Sequence, residues 1–140
     1  MTAARAKPYR LTAPVVQEHP LQAQMCQVLR LELAPSGKVS AHGVVWWAID
    51  HANFAGEIPG IRVSRGIIAG IPDLFILYKG LAHHPEIKTD VGVMSDAQQS
   101  VCSAVLAAGG KVAVVCSVEQ LLAAVDAWGI PRAHRVQVAA

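Results

Sequence analysis

Gly70-Ile71-Pro72 turns directly into Asp73-Leu74-Phe75-Ile76-Leu77-Tyr78, and Lys79-Gly80 closes the run. A short apolar stretch bounded by turn residues and rich in aromatic and branched side chains predicts a buried β-strand. Its first residue is an acid, so a carboxylate stands at the mouth of a strand that is apolar rather than polar and surface-like. A second strand is expected over Glu86-Ile87-Lys88, short and entered through Pro85, because proline cannot donate to a ladder and belongs at a strand's first residue or at an edge. Alternate residues of a strand share a face, so Glu86 and Lys88 project together. If the two strands pair as a hairpin, Asp73 reaches the same spot.

The rest of the chain supplies the frame. Leu21, Met25, Val28, Leu29 and Leu33 fall at helical spacing until Pro35 ends the run, with Pro20 tolerated in the first turn. Val44-Val45-Trp46-Trp47-Ala48-Ile49 predicts a strand, with alternation placing one tryptophan in the core. Residues 50–70 carry Gly56, Pro59, Gly60 and Gly66 before Gly70 and read as a long loop, a length that tends to be functional. Ser95 caps a helix whose Val101, Cys102, Val105 and Leu106 are expected to face the core, and Gly109-Gly110 stops it. Lys111–Cys116 predicts a strand. Ser117 and Gln120 form a capping box for a last helix through Leu121, Leu122, Val125 and Trp128. The expected order αβββαβα implies an α/β class with a mixed central sheet flanked by helices.

The chain has 140 residues, 53% hydrophobic and 16% charged, which predicts one ordered domain. The organisation expected is a basic N-terminal arm over 1–14, a domain over 15–131 and a tail over 132–140. No apolar run approaches the ~20 residues of a spanning helix, so no membrane is expected. The basic start lacks an apolar stretch behind it and is not read as a secretory signal. Cys26, Cys102 and Cys116 are far apart and odd in number, neither a disulfide framework nor a zinc site, which suits a cytoplasmic setting. Net charge is +2, too mild to establish a nucleic-acid partner. Arg132 and Arg135 are read as part of a solvated tail, and His83-His84 as solvent-exposed. No glycine-rich phosphate loop is present, which argues against a nucleotide cofactor.

Two carboxylates and a lysine are what phosphodiester hydrolysis asks of a protein. A hard divalent cation takes oxygen ligands, polarises the phosphate and lowers the pKa of an attacking water. A nearby lysine orients that water or neutralises developing charge. Gly70-Ile71-Pro72-Asp73, then Glu86-Ile87-Lys88, then Ser95-Asp96-Ala97-Gln98 resembles the PD-(D/E)XK nuclease superfamily, and most of all its VRR-NUC (virus-type replication and repair nuclease) branch. The likeness covers roughly residues 15–131, including the glycine-rich approach GIIAGIPDLFIL and the stretch AAGGKVAVVCSVEQ.

This resemblance implies a restriction-endonuclease-like core and a DNA endonuclease using Mg²⁺ or Mn²⁺. Asp73, Glu86 and the main-chain carbonyl of Ile87 would bind the metal, Lys88 would serve the water or the phosphate, and Gln98 would help orient the site. A first-helix glutamate would complete the acidic cluster, with Glu18 the best match and Glu32 the fallback. Arg62, Arg65, Asn53 and His51 lie where related proteins have a substrate-facing loop. The resemblance further implies a homodimer acting on branched, flapped or Holliday-junction-like DNA, in a bacterial or virus-infected cell. Sequence-selective reading is not expected, since no recognition helix or zinc module is present.

The residues themselves leave other readings open. Asp73 can be a turn residue, Glu86 and Lys88 a solvent-facing pair, and Ser95 with Gln98 nothing more than a capping box. The alternative function is a non-catalytic DNA-binding module on the same fold, and a third is an unrelated α/β protein with a small-molecule site.

Overall fold

A computed structural model of the chain describes residues 18–49, 60 and 64–134. The basic arm, and His51, Asn53 and Arg62 of the long loop, lie outside the described residues. In chain order the described elements are α1 (Glu18–Glu32), β1 (Val44–Ala48), β2 (Leu74–Tyr78), β3 (Leu81–Ile87), α2 (Asp96–Ala107), β4 (Lys111–Val115) and α3 (Val118–Ala127). The strands form a mixed sheet in the order β1-β2-β3-β4. Its first three strands run antiparallel, and β4 joins β3 in parallel after the α2 crossover. The molecule is α/β, as its sequence implies. Among the described residues no helix is long and apolar enough to cross a membrane.

Strand periodicity divides the sheet into two unlike faces. Val44, Trp46, Leu74, Ile76, Ile87 and Val115 all point one way and are buried against Met25, Cys26 and Leu29 of α1 and Leu121 and Val125 of α3. Each such aliphatic side chain contributes about 1.5–3 kcal/mol on burial. Trp46 also satisfies its indole N–H by donating to the Ala34 carbonyl at 2.7 Å. Its neighbour Trp47 points to the opposite face and is 40% exposed, so the alternation expected of the pair holds. That second face carries Phe75, Glu86 and Cys102 of the overlying α2.

Two local expectations are corrected. Leu106 does not face the core but is exposed, while Cys102 is buried. Among the described residues the sheet ends at β4, with no further strand beneath the last turn of α2. The larger correction concerns Pro85. Strand β3 does not begin there but runs from Leu81, with Pro85 near its middle and in register with Ala113 of β4.

The direction of the backbone N–H groups explains how a proline is tolerated inside a central strand. Lys88 N donates to Val115 O at 3.0 Å, so the alternate residues Glu86 and His84 also aim their N–H groups at β4. Pro85 therefore aims its nitrogen at β2. The β2–β3 ladder stops at Ile76↔His83, and the Leu74 carbonyl opposite Pro85 is met by the His84 ring instead of a main-chain donor. Proline marks the point where the sheet splits.

Candidate active site

From the last ladder pair Ile76↔His83, single steps along each strand reach 75↔84, 74↔85 and 73↔86. Asp73 and Glu86 thus face each other across the split. Side chains replace the missing main-chain bonds there. Glu86 Oε2 accepts from Asp73 N at 3.3 Å, and Asp73 Oδ2 accepts from Ile87 N at 2.9 Å. His84 Nδ1 pairs with Leu74 O at 3.2 Å. The hairpin anticipated from the sequence exists, and its open end is cross-braced by the two carboxylates.

Helix α2 closes the cluster. Gln98 Nε2 donates to Glu86 Oε1 at 2.6 Å, and Lys88 Nζ lies 3.3 Å from the same oxygen. The Gln98 carbonyl Oε1 meanwhile accepts from Ser95 N at 2.9 Å, and Ser95 Oγ accepts from Gln98 N at 3.2 Å. The capping box and the contact with the acid are therefore made by one side chain. Oxygen faces the helix cap and nitrogen faces Glu86, so the cap fixes which end of the amide the carboxylate meets. Gly70 brings the approach loop onto this turn: its φ is +89°, and a Cβ there would collide with the Ala97 carbonyl.

The electrostatics of the cluster are crowded. Glu86 is 1% exposed and Asp73 and Lys88 each 8%. Burial, and then the negative charge of Asp73, push the Glu86 carboxyl up to about 7, with Lys88 pulling it partway back. Burial and the same Glu86 charge raise the Cys102 thiol. Two acids thus face each other out of water, with the Lys88 ammonium on Glu86. Perturbed carboxylates of this kind concentrate at functional sites.

The structure brings together Asp73, Glu86, Ile87, Lys88 and Gln98. Glu18 begins α1, although its side chain lies outside the described residues. Glu32 stands at the other end of the same helix, 14 residues and about 21 Å away. There it accepts from Arg132 Nη1 and His134 N, both at 3.0 Å, so it is engaged elsewhere. Arg65 is exposed in the turn before Gly66.

Three residues differ from their sequence reading or escaped it. Arg132 is not a solvated tail residue: it is sequestered between Glu32 and Asp126, bonded to Asp126 at 2.8 and 3.0 Å. His83 is buried on the core face against Trp128, not solvent-exposed, and burial lowers its pKa. His84 is half-buried on the opposite face and is likewise lowered by burial. The sign of the His83–His84 separation was readable from strand period; the burial was not, because it depends on β3 starting at Leu81.

Among the described residues no group of three or more His, Cys, Asp or Glu side chains forms a metal cage. The donors present are hard: two carboxylate side chains and the Ile87 carbonyl. Magnesium takes one or two carboxylates and completes its shell with water and phosphate oxygens, so the set fits Mg²⁺ or Mn²⁺ rather than a transition metal that prefers nitrogen or sulfur. Compared with known proteins, the chain matches no family model, no curated protein and no solved structure.

Proposed function

We propose that the chain is a divalent-metal-dependent endonuclease that hydrolyses phosphodiester bonds in branched or flapped DNA, built on a restriction-endonuclease-like core of the VRR-NUC type and acting as a homodimer. The observation that carries this reading is the buried pair Asp73 and Glu86 across the β2–β3 split, with Lys88 and Gln98 on Glu86. Asp73, Glu86 and the Ile87 carbonyl would hold the cation, with Glu18 the first-helix acid. When bound, the ion supplies charge to polarise the scissile phosphate and to lower the pKa of an attacking water.

Each remaining part is played by the chain itself. The Lys88 ammonium orients the water or neutralises charge developing on the phosphoryl oxygens. Gln98 holds one oxygen of Glu86 in place, and the Ser95 cap holds Gln98. The Asp73–Ile87 bond ties one acid to the strand that bears the other, so both are set by main chain rather than by flexible loops. Branched DNA is favoured over a base sequence because no recognition helix is recognisable among the described residues.

A second reading, a DNA-binding module that does not cut, is favoured by one observation. Glu86 already accepts from Gln98, Lys88 and Asp73 N, so the cluster is satisfied internally without a cation. The two readings separate in one assay. Labelled four-way, flapped, single-stranded and plain duplex DNA are incubated with Mg²⁺, Mn²⁺ or EDTA. The nuclease reading expects cutting with either metal, none in EDTA, and preference for branched or flapped substrates. Salt-sensitive binding without cutting in both metals overturns it and establishes the binding module.

A further inference from the structure

We infer that Trp47, Phe75 and His84 form a platform beside the carboxylate cluster on which an unpaired base of the DNA stacks. The inference rests on the nuclease reading for its ligand, and on the second face of the sheet for its geometry.

Trp47 and Phe75 are register partners on β1 and β2, with ring centroids 4.4 Å apart and planes 28° from parallel. Phe75 meets His84 of β3 edge-on at 5.2 Å. The three rings form one row across three strands. His84 is held by its Nδ1 contact with Leu74 O, so the row is braced by main chain at its inner end. At its outer end Trp47 is 40% exposed, so a ring of the row is open to solvent and to a ligand.

The occupant follows from the row's position. Phe75 lies two residues along β2 from Asp73, and His84 two residues along β3 from Glu86. Two strand residues span about 7 Å, and alternate residues share a face. The row therefore continues directly from the two carboxylates on the same side of the sheet. A ligand that presents a phosphodiester to Asp73 and Glu86 carries its neighbouring base over these rings. Bases inside a duplex have both faces occupied by their own stack, whereas an unpaired base offers one to an aromatic side chain. Recognition by stacking is tolerant of base identity, which agrees with the proposed preference for DNA structure over sequence.

Binding in EDTA tests this without any cutting. Fluorescence anisotropy of a labelled oligothymidylate and of a blunt duplex is measured on the 140-residue chain, with Trp47→Ala and Trp47→Phe compared by circular dichroism for folding. Trp47→Ala is expected to weaken oligothymidylate binding about five- to 150-fold, the range that corresponds to one stacked base. Duplex affinity should move far less, and Trp47→Phe should recover most of the loss. An equal loss on both DNAs, no loss on either, or no oligothymidylate binding by the unaltered chain overturns the platform. So does a Trp47→Ala variant that turns a dimer into a monomer while keeping its single-strand affinity, since the row would then be covered by a second copy. A selective loss in a chain that cuts no DNA counts against the nuclease reading alone and leaves the platform standing.

Discussion

Two charge clusters in this molecule, one half-buried and one buried, are built from similar groups. At the C-terminal end of α1, Arg132 sits between Glu32 and Asp126, and His134 approaches Glu32 at 3.2 Å. Burial alone would raise the Glu32 carboxyl, yet the bonds from His134 and Arg132 outweigh it and the acid ends below its ordinary range. Bonding to Asp126 raises Arg132 in turn. Every charge there has an opposite partner, and the cluster ties α1, the end of α3 and residues 132–134 together. At the β2–β3 split the same ingredients are arranged differently: two acids oppose each other, the Lys88 ammonium lies 3.3 Å from Glu86, and Glu86 is driven up to about 7. Both clusters set two acids against one strong cation; in the first the guanidinium bonds both acids and Glu32 is lowered, whereas in the second the acids face each other and Glu86 is raised, the kind of perturbation that concentrates at functional sites.

The sharpest way to break this contrast is Asp73→Asn. The amide keeps an oxygen for Ile87 N and removes the like charge facing Glu86. DNA cutting is expected to fall on the order of 10²–10³-fold, the scale of losing a group that stabilises the transition state. Melting at pH 8 should nevertheless rise, because Glu86 ionises more easily without its neighbour. A variant that loses both activity and stability contradicts the assignment of crowding to function.

Arg132→Ala is the converse. Losing the charged hydrogen bonds of this half-buried arginine costs about 1.5–3 kcal/mol, and melting should drop by several degrees while cutting per folded molecule is kept. Loss of activity at equal folded fraction would couple the two clusters and blur the contrast.

Acidity separates them next. The Glu86 pKa is raised from 4.5 to about 7, so its protonated form contributes stability that is complete below about pH 4.5 and is lost as pH rises to about 7. Denaturant unfolding in EDTA should show this as a decline on the order of 2–3 kcal/mol between pH 5 and 8, flattened in Asp73→Asn. Glu32 is lowered, so its contribution is present above about pH 4.5 and is lost as pH falls further. Arg132→Ala should shrink that acid limb, since the His134 N–H still bonds Glu32, and leave the alkaline decline.

The smallest effect belongs to Ser95→Ala. Loss of the cap costs about 1 kcal/mol and frees the Gln98 amide to turn. Cutting should drop several-fold, with its pH profile displaced, whereas a purely structural cap would lower melting alone.

Much of the split was legible in the sequence because it depends on local periodicity. Asp73 at the head of an apolar run, and Glu86 and Lys88 two residues apart, needed only an antiparallel pairing to meet. Gln98 was legible as a cap, and its contact with Glu86 could be anticipated only through the resemblance. Pro85 misled because its cost in a strand depends on which neighbour its nitrogen faces, a property of the finished sheet. The Arg132 cluster was hidden for another reason: Glu32 and Arg132 are 100 residues apart, and no periodicity links them. The aromatic row escaped in the same way, since Trp47, Phe75 and His84 become neighbours only through register.

The most direct test compares metal-dependent cutting of flapped DNA by the unaltered chain, Lys88→Ala and Arg132→Ala, each corrected for its folded fraction. Cutting in Mg²⁺ or Mn²⁺ is expected from the unaltered chain and Arg132→Ala, and none from Lys88→Ala. Cutting by Lys88→Ala at the unaltered rate, or none by the unaltered chain in either metal, would contradict the nuclease reading.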